Sequence, residues 1–154
     1  MTEIPGEGTP VDVLLVEDSA GDVRLTQEAF REATRSVHLH AVSDGVEAIT
    51  FLKQEGVHAD APRPDLILLD LNIPKMDGRE VLTQIKTDES LKTIPTIILT
   101  TSEAPADIEK SYELQANCYL SKPVQLEEFV SVVKSINDFW LTKVKLPQRK
   151  SDGE

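Results

Sequence analysis

The chain has 154 residues, of which 40% are hydrophobic, and this length suits one globular domain with no room for a second. No apolar run reaches the roughly 18 residues that a membrane span needs, and the formal net charge of -11 disfavours binding to nucleic acid or anionic lipid, both of which attract basic residues. We therefore expect a soluble cytoplasmic protein without a nucleic-acid or membrane partner.

Short apolar runs alternate along the chain with segments in which apolar residues recur three and four positions apart. The runs predict strands at 12–16, 37–42, 65–70, 95–100 and 117–120, and the periodic segments predict helices at 21–34, 45–54, 78–87, 104–114 and 124–140. Five strands that alternate with five helices indicate an α/β domain with a doubly wound parallel sheet. We assign residues 11–140 to this domain, residues 1–10 to a flexible leader and residues 141–154 to a polar C-terminal tail.

Polar residues follow four of the five predicted strands. Glu17 and Asp18 come after the first, Asp70 closes the third, Thr100 closes the fourth and Lys122 follows the fifth. The carboxyl ends of parallel strands meet at the edge where open α/β sheets bind ligands. Three carboxylates at close range repel one another unless a cation joins them, and magnesium prefers oxygen ligands. With a hydroxyl and an ammonium nearby, the cluster suits transfer of a phosphoryl group onto a carboxylate.

Each of these motifs also has an ordinary structural interpretation. An acidic pair complements the dipole of the helix that follows it, a threonine is common in strands, and Lys122-Pro123 is a usual way to begin a helix. A cis peptide bond before Pro123 would help to aim Lys122 at the cluster. A calcium loop at DLNIPKMDG is rejected, because Lys75 stands where that loop needs glycine.

The order and spacing of these motifs resemble the receiver domain of bacterial two-component response regulators, over residues 12–140. The resemblance implies a flavodoxin-like fold with strand order 2-1-3-4-5. It also implies that a sensor histidine kinase donates a phosphoryl group to Asp70 in a magnesium-dependent reaction. Such a protein is a signalling phosphoacceptor and not an enzyme, since it catalyses only its own phosphoryl transfer and slow autodephosphorylation.

The resemblance further assigns roles to individual residues. Glu17, Asp18 and Asp70 would bind Mg²⁺ together with the backbone carbonyl of Asn72. Glu17 stands where many family members have Asp, which leaves room for a water molecule in its metal contact.

Three residues on the last two strands would respond to phosphorylation. Thr100 would be the switch hydroxyl, Tyr119 the aromatic rotamer switch, and Lys122 the ammonium that contacts the phosphoryl group. The stretch APRPDLILLDLNIPKMDGREVL and the long loop before it resemble single-domain regulators that pair with phytochrome-type histidine kinases. The signal would then pass to a downstream phosphotransfer or effector protein.

Two other functions are compatible with an acidic cluster of this kind. A haloacid-dehalogenase-like phosphatase also uses an aspartyl phosphate, but that family places its nucleophile near the chain start and its metal-binding acidic pair last. A degenerate receiver would bind partners without being phosphorylated. The complete set of acidic pair, Asp70, Thr100 and Lys122 argues against it.

The final predicted helix is more apolar than one core-facing stripe requires. We expect the following residues to face the sheet: Leu126, Phe129, Val130, Val133 and Trp140. That would leave Val132, Ile136 and Phe139 on a second side, which predicts a two-fold homodimer through this helix. The alternative is that the tail, with Val144 and Leu146, covers these residues within one chain.

Overall fold

We describe residues 10–32 and 35–147 in a computed structural model of the chain. The strands are β1 Val11–Val16, β2 Val37–Val42, β3 Leu66–Leu69, β4 Thr96–Thr100 and β5 Cys118–Ser121. The helices are α1 Ala20–Arg31, α2 Gly45–Leu52, α3 Gly78–Thr87, α4 Pro105–Glu113 and α5 Leu126–Trp140. The leader assigned to residues 1–10 lies outside the described residues except for Pro10, as do residues 148–154 of the tail.

The five strands form one parallel sheet in the order β2-β1-β3-β4-β5, which confirms the predicted architecture. In its register Val16 pairs with Leu69, Leu69 with Ile98, and Thr100 with Ser121, so the strands end near one edge. The helices α2 and α4 are shorter than predicted, because Gln54 and Gln115 take left-handed backbone conformations just beyond them, with φ of 55° and 75°.

The sheet separates two hydrophobic clusters. Leu14, Val16, Ile67 and Leu69 point to the side covered by α2 and α3, and the alternate residues of β1 and β3 point to the side covered by α1 and α5. Both faces of these central strands are therefore buried, which explains why they appear in the sequence as continuous apolar runs. None of the described helices is long and apolar enough to cross a membrane.

The predicted faces of α5 are partly wrong. Ile136, predicted to lie on the second side, is 1% exposed in the core beside Phe129 and Val133, whereas Leu126, predicted to face the sheet, is 57% exposed. Ile136 follows Val133 by three positions and therefore lies on the same helix face. Leu126 belongs to the first turn of α5, beyond the contact with α1 and the sheet. A residue buried within one chain cannot contact a second copy, so Ile136 is removed from the predicted interface.

Candidate functional site

Backbone hydrogen bonds fix the strand ends that carry the polar residues. The amide of Glu17 donates to the carbonyl of Val42 at 3.0 Å, and the amide of Asp70 donates to the carbonyl of Val16 at 3.1 Å. The amide of Lys122 donates to the carbonyl of Thr100 at 2.6 Å. Each functional residue is therefore held by a neighbouring strand, and the predicted convergence at one edge of the sheet is observed.

Lys122 lies at the centre of the site. Its ammonium donates to the carboxylates of Glu17, of Asp70 at 2.9 Å and of Asp22 at 3.0 Å, and its side chain is 5% exposed. An ammonium has three donors, and these three carboxylates accept all of them. The peptide bonds of the described residues include no cis bond, so the isomer considered before Pro123 is absent. The three carboxylates are what aim Lys122.

Burial and neighbouring charges have opposite effects on the pKa values of Glu17 and Lys122. Burial raises the pKa of Glu17 to about 7, against the opposing effect of its hydrogen bond from Lys122. Burial alone would lower the pKa of Lys122, but the hydrogen bonds to Glu17, Asp70 and Asp22 outweigh it and hold that pKa above its usual range. The lysine therefore stays charged, as a fixed cation among acidic groups.

Glu17, Asp18 and Asp70 can converge on one metal ion. Each offers a carboxylate oxygen, and these oxygens lie within 4.8 Å of one another, with Glu17 and Asp70 buried and Asp18 exposed. Carboxylate oxygens on a half-open edge are the donors that a hard divalent cation prefers, and the open side admits the waters that Mg²⁺ retains. The residues present therefore fit a divalent cation.

The loop after Asp70 is held tightly against the site. The amide of Asn72 donates to Asp70 Oδ1 at 3.0 Å, and the amide of Gly78 donates to the carbonyl of Leu71 at 3.0 Å. A Cβ atom at Gly78 would lie 2.4 Å from the carbonyl oxygen of Asp70, a distance that no real side chain tolerates. Both oxygens of the Asp70 carboxylate therefore have a donor, one from Lys122 and one from Asn72.

The predicted switch residues Thr100 and Tyr119 differ in the hydrogen bonding of their hydroxyl groups. Thr100 is fully buried, and its hydroxyl oxygen has no hydrogen-bond partner among the residues that the structure describes. Tyr119 is half-buried against the cluster under α3, and its hydroxyl donates to the carbonyl of Ser102 at 2.9 Å. An unpartnered buried hydroxyl is uncommon in native proteins and calls for a functional explanation.

An ion-pair network that the sequence analysis missed joins α3 to α4. The guanidinium of Arg79 donates to Asp107 Oδ1 at 2.7 Å, and Asp107 Oδ2 accepts from the hydroxyl of Ser102 at 2.6 Å. These hydrogen bonds hold the pKa of Asp107 below its usual value, with Ser102 contributing most. Since Tyr119 also bonds to Ser102, the network reaches the predicted aromatic switch. No short motif marks such a contact between residues 28 positions apart.

The chain is similar to known proteins over most of its length. The family model for the response regulator receiver domain matches residues 13–134. Response regulator Rcp1 of Synechocystis sp. strain PCC 6803 is 49% identical over 138 residues, which cover 90% of this chain and 94% of that protein.

Solved structures agree with the observed fold. The crystal structure of the Mn²⁺-bound form of response regulator Rcp1 matches with a TM-score of 0.88 and 49% sequence identity. The match covers 90% of this chain and 100% of the Rcp1 chain. The phosphorylated cyanobacterial phytochrome response regulator RcpA has a TM-score of 0.88 and 48% identity, covering 91% of this chain and 100% of that one.

Proposed function

Because the chain belongs to the response regulator receiver family, we propose that Asp70 accepts a phosphoryl group from a histidine kinase. The observation that carries this proposal is the placement of the Asp70 carboxylate, which lies beside two other carboxylates and accepts from a buried ammonium. A signalling protein of this kind performs only its own phosphoryl transfer and hydrolysis. Membership of the receiver family removes the haloacid-dehalogenase-like alternative.

The site residues divide the transfer between them. An oxygen of the Asp70 carboxylate attacks the phosphorus and forms a new P–O bond. The bond between the phosphorus and the donor breaks at the same time, and its electron pair leaves with the donor. A divalent cation held by Glu17, Asp18, Asp70 and the carbonyl of Asn72 would neutralise charge on the phosphoryl oxygens. Lys122, which donates to Asp70 Oδ2, would neutralise further charge, and the Asn72 amide keeps the carboxylate oriented.

The test is uptake from acetyl phosphate measured by intact mass. Wild type in Mg²⁺ should gain one phosphoryl group that alkaline hydroxylamine removes, as expected for an acyl phosphate. Asp70→Asn should gain none, whereas Asp60→Asn, which changes an exposed carboxyl in the loop before β3, should behave as wild type. Uptake by Asp70→Asn would refute the assignment. No uptake by wild type would identify a degenerate receiver that acts as a binding module.

We propose Mg²⁺ as the resident cation. The similar protein Rcp1 was solved in a Mn²⁺-bound form, and both ions take oxygen ligands in octahedral geometry. Uptake should cease in excess EDTA and return with Mg²⁺. Equal uptake in EDTA would contradict the metal assignment.

For the switch, we propose that the phosphoryl group recruits the hydroxyl of Thr100 and that Tyr119 follows. The unpartnered state of that hydroxyl supports this, because a buried donor gains a full hydrogen bond when an acceptor arrives. Thr100→Ala should still accept the phosphoryl group but lose the change in partner binding, and Thr100→Ser should retain both. Equal partner binding by phosphorylated wild type and phosphorylated Thr100→Ala would contradict the coupling.

The kinase partner that we propose is of the phytochrome type. The support for this kinase partner is the similarity to RcpA, which is a phytochrome response regulator. The protein would then act in the cytoplasm and pass its signal to a phosphotransfer or effector protein. Phosphotransfer profiling against phytochrome-type and unrelated histidine kinases tests this, and a faster transfer from unrelated kinases would contradict it.

We also propose a homodimer through α5, with an interface reduced by the burial of Ile136. Phe139 is 55% exposed and Val132 is half-buried, so Phe139 is the main exposed apolar residue of that side. The tail begins to fold back, since Leu146 packs against the cluster that contains Trp140, but Phe139 stays exposed. Light scattering should give a dimer mass for wild type and a monomer mass for Phe139→Glu. A monomer mass for both phosphorylated and unmodified wild type would refute the dimer.

A further inference from the structure

Asp22 is the one acceptor of the Lys122 ammonium that has no other task in the proposed reaction. Glu17 and Asp70 belong to the carboxylate group that can hold the cation, and Asp70 is also the proposed phosphoacceptor. Asp22 lies outside that group, and its Oδ2 is 3.0 Å from Lys122 Nζ. When the cation and the phosphoryl group engage Glu17 and Asp70, Asp22 is the acceptor that stays available to the lysine.

The start of α1 holds Asp22 in place. Ser19 caps the helix, and its hydroxyl accepts from the amide of Asp22 at 3.2 Å, while the amide of Ser19 donates to Glu17 Oε2 at 3.1 Å. The first turn of α1 is thus tied directly to a carboxylate of the site. The position of Asp22 relative to Lys122 is therefore set by helix geometry and not by a mobile loop.

We infer that Asp22 is a positioning residue that keeps the Lys122 ammonium in the site during phosphoryl transfer. This inference rests on the proposed function. As the P–O bond forms, the attacking oxygen of Asp70 loses its charge and becomes a weak acceptor, and the donor's electron pair leaves with the leaving group. Lys122 then turns one N–H from Asp70 to a phosphoryl oxygen without giving up a proton. Asp22 anchors the ammonium while this donor is redirected.

A simpler interpretation is that Asp22 only supports α1. An acidic residue in the first turn of a helix is favoured by the helix dipole whether or not a lysine is near. The two interpretations differ in one respect. A helix-dipole role acts on stability and is independent of Lys122, whereas a positioning role acts on the transfer rate and disappears when Lys122 is removed.

The experiment compares Asp22→Ala and Asp22→Asn with the control Glu28→Ala. Glu28 is an exposed acid on the same helix that pairs with Arg31, so this control removes the same charge without touching Lys122. The side chain of Asp22 is 31% exposed, which screens its interaction. In saturating Mg²⁺ and acetyl phosphate, we expect the uptake rate of Asp22→Ala to fall about fivefold, the effect of losing one net hydrogen bond. The uptake rate of Asp22→Asn should fall less, because asparagine keeps an oxygen acceptor, and the uptake rate of Glu28→Ala should equal that of wild type.

Two further measurements separate positioning from general effects. The Mg²⁺ affinity of Asp22→Ala should stay within about twofold of wild type, since Asp22 is not in the metal-binding group. In metal-free protein, the Lys122 ammonium should exchange its protons with water faster in Asp22→Ala than in wild type, as seen by nitrogen-15 NMR. In a Lys122→Ala background, Asp22→Ala should cause no further loss of rate.

The outcomes distinguish the inference from the proposed function. If wild type takes up no phosphoryl group, the proposed function itself is wrong. If wild type is phosphorylated and Asp22→Ala is equally fast, or slows equally in the Lys122→Ala background, the positioning role is refuted. An unchanged proton exchange of the Lys122 ammonium would refute it as well, and this measurement does not depend on phosphorylation.

Discussion

Replacing Lys122 with methionine should make the stability of this protein depend on a divalent cation. The substitution keeps the length of the buried side chain but removes the cation that Glu17, Asp22 and Asp70 share. Breaking a buried ion pair by removing one partner costs about 3–5 kcal/mol, because the remaining charge is left without compensation. Burial already raises the pKa of Glu17 to about 7, so this carboxyl can take up a proton and relieve part of the cost. We therefore expect the free energy of unfolding to fall by about 3 kcal/mol, at the lower end of this range.

Thermal unfolding in the presence and absence of metal measures this loss. For a domain of this size, 1 kcal/mol shifts the melting temperature by about 2–4 °C, so Lys122→Met in EDTA should melt about 6–12 °C below wild type. Saturating Mg²⁺ supplies a new cation to the same carboxylates, and binding at a hundred times the dissociation constant adds about 2.7 kcal/mol. Removing the Lys122 charge should lower the dissociation constant for Mg²⁺, so at the same Mg²⁺ concentration the variant should gain more stability than wild type does.

Lys134→Met is the matched control, since Lys134 is half-exposed and pairs with Glu32 at the surface. A surface pair of this kind contributes about 0–1 kcal/mol, so the control should melt within a few degrees of wild type in either buffer. If Lys122→Met melts like the control in EDTA, or if Mg²⁺ stabilises it no more than wild type, then Lys122 does not neutralise these carboxylates and the reasoning fails.

Three other substitutions test separate features. Gly78→Ala places a methyl 2.4 Å from the carbonyl oxygen of Asp70, so it should lower both the melting temperature and phosphoryl uptake, and normal uptake would show that the loop yields. Arg79→Ala should broaden the amide resonances between β4 and α4, and unchanged spectra would mean that the link to Asp107 does not restrain this loop. Ile136→Ala should cost about 2–5 kcal/mol by urea unfolding, against less than about 0.5 for Leu126→Ala, and equal costs would contradict the assigned faces of α5.

The fold was predictable because burial leaves a clear record in the central strands. β1 and β3 are apolar at nearly every position and β4 is apolar at its centre, since helices cover both faces of the sheet, and the polar residue after each run marks the edge where the strands end. The same record located Glu17, Asp70, Thr100 and Lys122, because convergence at one edge follows from parallel topology alone.

The features that were missed depend on distances between elements. Asp22 is an ordinary first-turn acid in the sequence, and only the placement of Lys122, a hundred positions away, gives it a second role. The contact between Arg79 and Asp107 depends in the same way on how α3 and α4 lie side by side. The prediction for Ile136 failed for a different reason. An apolar excess in a helix does not reveal which of two adjacent faces is covered, and here the covered face extends further than one narrow stripe.

The charges of the site explain why one neutral hydroxyl can report phosphorylation under the proposed function. Glu17, Asp18, Asp22 and Asp70 supply four carboxyl groups against the single ammonium of Lys122, so the site has a large excess of acceptors. A phosphoryl group brings three more acceptor oxygens. The divalent cation would bind one of these oxygens. The N–H that Lys122 turns away from Asp70 would donate to a second one. The third is free to accept a donor, and among the described residues Thr100 holds a buried, unpartnered hydroxyl at the end of the adjacent strand. Under this proposal, phosphorylation would change the hydrogen bonding of β4, and Tyr119 on the neighbouring β5 lies where that change would reach the surface.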